Sequence, residues 1–266
     1  MVSPIDDVAF LARSETRLGI LRALEERPRE RRELATATET PRSTLGRTLG
    51  ELEERGWIER NGRVYEITTA GSLVVERFVP LLDTVTVLQE LGDAVELLPV
   101  DVTDLDVEDL ADAQFVTPVG MNPTKPFDYG IERLSEATRF RCVARTAPPG
   151  YVEAIHDGAV TGRFTAECVL AETYLDNLGD DRKSNERWRD IAETGSLVRG
   201  YEEPFSFVLL VLDETVHLWL CDEKGESQGL VESTNPAMVS WANATVDRYL
   251  ERSRPVEWDE ITDRPS

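Results

Sequence analysis

Between Thr40 and Ile67 the chain reads TPRSTLGRTLGELEERGWIERNGRVYEI, a stretch rich in side chains that hydrogen-bond to bases and phosphates. Leu45, Leu49 and Leu52 recur at i, i+4 and i+7, which gives one apolar helical stripe. Arg42, Ser43, Thr44 and Arg47 fall largely off that stripe and face outward. With Thr48 they are the helix's candidate DNA contacts. A guanidinium matches the acceptor pair of a guanine edge, and a helix fits a major groove about 12 Å wide. Thr40 is the expected N-cap, with Pro41 at the first helical position, where its missing N–H costs nothing. Gly56 stops the helix as a C′ glycine. Short strands are expected over 57–60 and 63–67. Asn61-Gly62 between them is a two-residue turn that favours φ > 0 at both positions. Arg60, Asn61 and Arg63 stand at or beside its tip, within reach of the neighbouring backbone or minor groove.

Upstream, residues 5–12 predict a short helix with Phe10 and Leu11 apolar. Ser14 then caps a helix whose buried face is Leu18, Ile20, Leu21 and Leu24, and Pro28 ends it. A third short helix is expected over 30–38, with Leu34 and Ala35 inward. Three helices followed by a hairpin resemble the winged helix-turn-helix of MarR-like and TrmB-like transcription regulators. The residues that carry the likeness are Ser43-Thr44-Leu45, Arg47, Leu49, Leu52-Glu53, Arg55-Gly56-Trp57-Ile58 and Arg60-Asn61-Gly62-Arg63. In that family the second helix braces the third and can touch phosphate. The resemblance thus makes Arg29, Arg31 and Arg32 phosphate candidates; the alternative is that they pair with Glu30 and Glu33. Residues 69–91 form a long apolar helical stripe (Leu73, Val74, Phe78, Leu81, Leu82, Val85, Leu88, Leu91). Pro80 predicts a kink or break in it. So apolar a helix needs a partner, either the second domain or a copy of itself. Related regulators dimerise through helices at this position.

The 266 residues carry 51 acidic against 29 basic side chains, a net charge of −22. Only Lys125, Lys183 and Lys224 are lysine. An acidic, lysine-poor chain resembles the proteome style of extremely halophilic archaea, whose negative surfaces stay hydrated in molar salt. Residues 1–90 hold 13 basic and 16 acidic side chains, net −3, and residues 91–266 hold 16 and 35, net −19. Within 27–63, 9 arginines face 7 glutamates, net +2, a weak version of the usual nucleic-acid footprint. In molar salt counterion release contributes little, so affinity there leans on base contacts, shape and water. No apolar run spans a bilayer. The acidic N-terminus does not read as a signal peptide. Cys142, Cys168 and Cys221, odd in number and spread out, suit a reducing cytosol and core packing.

Residues 99–112 form an acidic boundary with Leu105, Val107 and Leu110 as a short amphipathic piece. It lacks the spacing of an EF-hand calcium loop. Beyond it strands and helices alternate, which predicts a mixed α/β domain with a central sheet. Strands are expected at 114–119, 140–145, 164–170, 197–201, 205–212 and 216–221, with 228–233 as an edge strand. Helices are expected at 127–137, 151–158, 174–178, 185–193 and from Pro236 onward, and the polar tail 252–266 is expected to fray. His156 and His217 have no partners at metal-ligand spacing. No Walker loop, Rossmann fingerprint or nucleophile elbow is present, so an enzyme reading has no constellation to stand on. Asn122, Thr124 and Arg145, in loops after strands, are candidate contacts for a small polar effector; the plainer reading is surface loop residues. The hairpin FSFVLLVLDETVHLWLCDEKG, the serine-containing link after it and the terminal helix AMVSWANATVDRYL resemble the middle domain of archaeal methanogenesis regulators. That likeness implies a ligand-responsive or dimerising second domain and names no ligand.

The expectation is an α+β chain. It comprises a winged helix-turn-helix over 1–68, a linker or dimerisation helix over 69–98, an α/β effector or dimerisation domain over 99–252, and a polar tail over 253–266. The function expected of it is that of a cytoplasmic, dimeric regulator of double-stranded DNA, with no metal and no cofactor. The alternative is a protein–protein adaptor whose winged helix does not bind DNA.

Overall fold

The computed structural model describes residues 3–99, 103–111, 113–120, 122–178, 181–222 and 227–258. Two units emerge, Met1–Asp83 and Thr84–Ser266. In the first, Ser3 accepts from the Ile5 amide at 3.3 Å and opens α1 (Pro4–Ala12). Next come α2 (Glu15–Glu26), β1 (Arg29–Glu30) and α3 (Arg31–Ala37). The Glu33 carboxylate accepts from the Glu30 amide at 2.8 Å, which satisfies one orphan donor at the start of α3. That bond, together with Arg27, holds the Glu33 carboxyl below its ordinary range.

Helix α4 spans Arg42–Glu54 and starts later than the sequence suggests. Thr40 is buried and does not cap it. Its hydroxyl donates to the Thr38 carbonyl at 2.9 Å, and Pro41 takes the capping position without a side-chain bond. Gly56 ends the helix at φ +68°, as expected. The wing is β2 (Ile58–Asn61) and β3 (Val64–Ile67), with β3 central in a three-stranded sheet ordered β1-β3-β2. Its turn lies one residue later than expected. Asn61 pairs with Val64, so Gly62-Arg63 form the loop, and of Asn61, Gly62 and Arg63 only Gly62 has positive φ (+64°). Glycine first in a two-residue loop is the pattern of a II′ turn, where the sequence suggested I′.

Leu21, Leu34, Leu45, Leu49 and Leu52 form the heart of this unit, with Phe10 and Trp57 over them. The Arg17 and Arg55 guanidiniums lie 3.7 and 3.6 Å from the Phe10 ring centroid, so two cations share one aromatic. Helix α5 (Thr69–Leu91) runs without a break through Pro80. Val75 and Phe78 enter the first core, whereas Leu73, Leu81, Val85 and Leu88 are 55, 52, 41 and 38% exposed.

The second unit is built on an eight-stranded sheet, ordered β11-β7-β6-β5-β8-β9-β10-β4. Its elements are β4 (Gln114–Val116), α6 (Lys125–Glu136), β5 (Phe140–Ala144), α7 (Pro149–Val160), β6 (Ala166–Ala171), α8 (Glu172–Asn177) and α9 (Arg182–Glu193). After these come β7 (Leu197–Tyr201), β8 (Val208–Leu212), β9 (Thr215–Cys221), β10 (Ser227–Ser233), α10 (Pro236–Arg252) and β11 (Arg254–Pro255). Strands β5, β6 and β7 are parallel, and the remaining pairings are antiparallel. Both faces are covered, so β8 reads as an unbroken apolar run: Val208, Leu210 and Leu212 join one core, Leu209 and Val211 the other. Two expectations need correction. The 228–233 segment is an interior strand with β9 and β4 on its two sides. The start of the tail does not fray, because Arg254 and Pro255 pair with Gly200 and Arg199. Residues 259–266 lie outside the described residues.

Candidate nucleic-acid interface

Burying Leu45, Leu49 and Leu52 fixes the rotation of α4, and with it the residues that reach solvent. Arg42, Ser43, Thr44 and Arg47 all lie on the exposed side. Thr48 does not: it is 3% exposed, and its hydroxyl donates to the Thr44 carbonyl at 3.0 Å. A buried hydroxyl bonded within its own helix has nothing left to offer a base, so Thr48 leaves the candidate set.

Arg47 is tethered. Its guanidinium bonds Glu51 one turn on at 2.5 Å, and the other Glu51 oxygen takes Arg17 at 3.2 Å. Glu51 was not singled out from sequence, although its i, i+4 spacing from Arg47 is a visible pairing signal. Arg31 turns inward. It donates to the Arg42 carbonyl at 2.6 Å and lies over Gly46, where an added Cβ would sit 2.3 Å from its nitrogen. It thus braces α4 from α3, through a glycine that no sequence pattern marked. Arg29 pairs with Glu26 and the Ala23 carbonyl. Glu33 goes to Arg27 at 2.9 Å, so neither partner expected for these arginines, Glu30 or Glu33, takes Arg29 or Arg31. Arg27, Arg29 and Arg32 still line one shallow recess beside α3.

In the wing, Arg60, Asn61 and Arg63 are all exposed. Arg63 occupies the tip itself. Arg60 lies one pair back, folded so that its Nε donates to the Gly62 carbonyl at 2.9 Å and its guanidinium lies 5.6 Å from the Tyr65 ring centroid. The exposed face of α4 and the wing thus offer Arg42, Arg47, Arg60 and Arg63 as cations, interleaved with short hydroxyls and one amide.

In the second unit two of the loop candidates meet, Asn122 and Thr124, and Arg145 bonds elsewhere. Thr124 bonds Asn122 and Asp128 at 3.0 and 2.9 Å, a local network at the start of α6. Arg145 donates to the Asp222 carbonyl at 3.3 Å. None of the three lines the apolar cavity of this unit, which lies among Phe127, Cys142, Tyr151, Trp188, Leu210 and Trp219. Cys142 and Cys168 are register partners across β5 and β6, and burial pushes the Cys168 thiol well up. His217 is wholly buried and bonds Glu232 at 2.8 Å. Burial alone would raise the Glu232 carboxyl. Bonds from His217 and Tyr129, with Arg133 nearby, outweigh it and hold the group low. No cluster of three or more metal-ligating side chains occurs among the described residues.

Residues 5–90 match the HVO_A0261 N-terminal domain, and residues 123–252 match the middle domain of the methanogenesis regulatory protein FilR1. The chain is similar to both domain families over those residues. No curated protein matches it. Among solved structures it is similar to TrmBL2, an archaeal chromatin protein with its own mode of DNA binding. That pair shares 19% identity at TM-score 0.41, over 96% of this chain and 100% of the other. An IclR-type regulator from Silicibacter shares 14% identity at TM-score 0.22, over 94% and 96%. The dimethyltransferase RosA from Streptomyces davawensis shares 17% at TM-score 0.25, over 74% and 63%. At these scores the functional reading rests on the chain's own residues and the family matches.

Proposed function

We propose that the chain is a sequence-specific transcription regulator that binds double-stranded DNA as a homodimer in the cytoplasm. The observation that carries this reading is the split of α4: Leu45, Leu49 and Leu52 buried, Arg42, Ser43, Thr44 and Arg47 exposed, beside a wing tipped by Arg63. In this reading α4 enters the major groove and Arg47 leaves Glu51 for a guanine edge. Arg60, Asn61 and Arg63 hold backbone or minor groove, and Arg31 keeps α4 in place. The family matches, one of them to a domain of a methanogenesis regulator, support it. No helix of the described residues is long and apolar enough to cross a membrane.

The exposed Leu73 and Leu81 of α5, with Ile5 and Val8 on α1, supply the surface proposed for dimerisation. A two-fold protein suits a palindromic site with half-sites a turn apart. The second unit is the effector-responsive or assembling half. One observation favours the adaptor alternative: Glu51 holds both Arg47 and Arg17, which neutralises cations that DNA would otherwise draw.

Selection from random double-stranded DNA separates the two readings. The regulator enriches a palindromic motif, and Arg47→Ala loses one base position of it. A pool that stays random for the full chain would refute DNA reading and leave the adaptor.

A further inference from the structure

The cavity of the second unit lies at the carboxyl ends of β5, β6 and β9, the place where open α/β sheets receive ligands. Its aromatic wall is tight: ring centroids of Phe127 and Trp219 are 4.7 Å apart, and those of Tyr151 and Trp219 are 5.7 Å apart. Not one of its lining residues is Asp, Glu, Lys, Arg or His. The helix that begins beside it offers little to an anion either. Pro148 and Pro149 have no amide hydrogen, and the Tyr151 and Val152 amides already bond the Pro148 carbonyl.

Two lining residues carry hydroxyls, Thr146 and Tyr151. Tyr151 is 5% exposed, and its hydroxyl has no hydrogen-bond partner among the described residues. The neighbouring polar aromatics are satisfied: the Trp188 indole donates to the Tyr174 hydroxyl at 3.1 Å, and Tyr174 donates to the Ala147 carbonyl at 3.2 Å. The Tyr151 hydroxyl fits only because residue 130 is glycine, where a Cβ would stand 1.7 Å from it. A glycine that admits a buried, unbonded hydroxyl beside an apolar cavity is costly for folding alone. It makes sense as a handle in a binding pocket, which is mostly apolar with a few placed polar groups.

We propose that this cavity binds a small, neutral, mostly apolar organic molecule with one hydrogen-bonding oxygen, which Tyr151 recognises. The proposal rests on reading the second unit as the effector-responsive half. The enclosed volume is about 50 Å³. A cavity that holds benzene measures about 150 Å³. A ring-sized guest therefore has to widen the cavity by shifting its lining side chains.

The test titrates the full chain with phenol, toluene and benzoate, followed by tryptophan fluorescence and thermal shift. Phenol is expected to bind saturably, toluene about three- to tenfold more weakly for want of the hydrogen bond, and benzoate not measurably. Tyr151→Phe is expected to erase the preference for phenol over toluene while it keeps toluene binding. Ala147→Phe, which plugs the mouth, is expected to abolish both. The proposal is overturned if no probe saturates, if benzoate binds as well as phenol, or if Tyr151→Phe retains the preference. Selection from random DNA, run on the same protein, keeps the two readings apart. Lost probe binding with intact DNA binding removes the pocket alone, and the converse removes the regulator alone.

Discussion

The two units use the same side chains in opposite ways. In the first, the arginines of α4 and the wing face solvent, namely Arg42, Arg47, Arg60 and Arg63, while Arg17 and Arg55 pack on Phe10. In the second, charge is drawn into the fabric. Arg141 on β5 joins Glu167 on β6 to Asp247 on α10, and Glu232 gathers His217, Tyr129 and Arg133. The first unit thus keeps exposed cations on α4 and the wing, while the sheet of the second holds partly buried charge in internal pairs. The second unit carries net −20 against −2 for the first, so the proposed DNA contact falls to the less acidic unit.

The largest effect that would sharpen this contrast is on stability. Phe140 is 1% exposed at the centre of the sheet and stacks on Phe164 with centroids 5.5 Å apart. Phe140→Ala should destabilise the second unit by about 3–5 kcal/mol in urea unfolding. It should leave DNA affinity untouched wherever the protein remains folded. A loss under about 1 kcal/mol would mean that the core collapses around the gap and that the two-faced sheet is looser than its packing suggests.

Next come the two kinds of arginine in the proposed interface. Arg47→Ala should weaken binding to the selected site by about 1–3 kcal/mol and leave random DNA bound as before. Arg63→Ala should weaken both equally and lower the slope of log K against log salt by about 1. Anisotropy titrations at several salt concentrations measure both. Identical profiles for the two variants would abolish the division between reading helix and clamping wing.

Acid unfolding tests the internal charge of the second unit. The folded Glu232 carboxyl sits below its unfolded value, so its contribution is present above the ordinary carboxylate range and is lost as pH falls through the lowered folded value. Glu232→Gln should remove that part of the acid limb and flatten stability against pH below about 4.3. An unchanged acid limb would show that other carboxylates govern it.

How much of this was legible in the sequence depends on the range over which each feature is decided. Leu45, Leu49 and Leu52 dictated α4 and its rotation because helical period is local. The β8–β9 hairpin was equally plain, since both faces of β8 are buried and its apolar run is unbroken. Shifts of one residue were not legible. Thr40 donates its hydroxyl to the Thr38 carbonyl and does not accept from an amide at the helix start, and Gly62 took the turn's only positive φ, which moved Arg63 to the tip. Long-range facts were hidden altogether. Arg31 over Gly46, β11 on β7, and Tyr151 over Gly130 each join segments whose meeting no local pattern encodes. For that reason the loop candidates Asn122, Thr124 and Arg145 missed the cavity, while Tyr151 was never singled out.

The smallest expected effect is the most discriminating for the rotation of α4. Thr48 and Arg47 are neighbours in sequence, about 100° apart around the helix, one buried and the other exposed. Thr48→Val keeps the shape of a side chain that is 3% exposed and removes only a hydroxyl bonded to its own helix at Thr44. Such a back-bond contributes little, because the carbonyl it engages is already part of the helical ladder. Stability should change by less than about 1 kcal/mol, and the selected DNA motif should be identical to that of the natural chain. If Thr48→Val instead relaxed a base position while Arg47→Ala did not, the face of α4 now buried against Leu34 and Leu21 would have to be the one that meets DNA. The winged unit would then bind through a rearranged core.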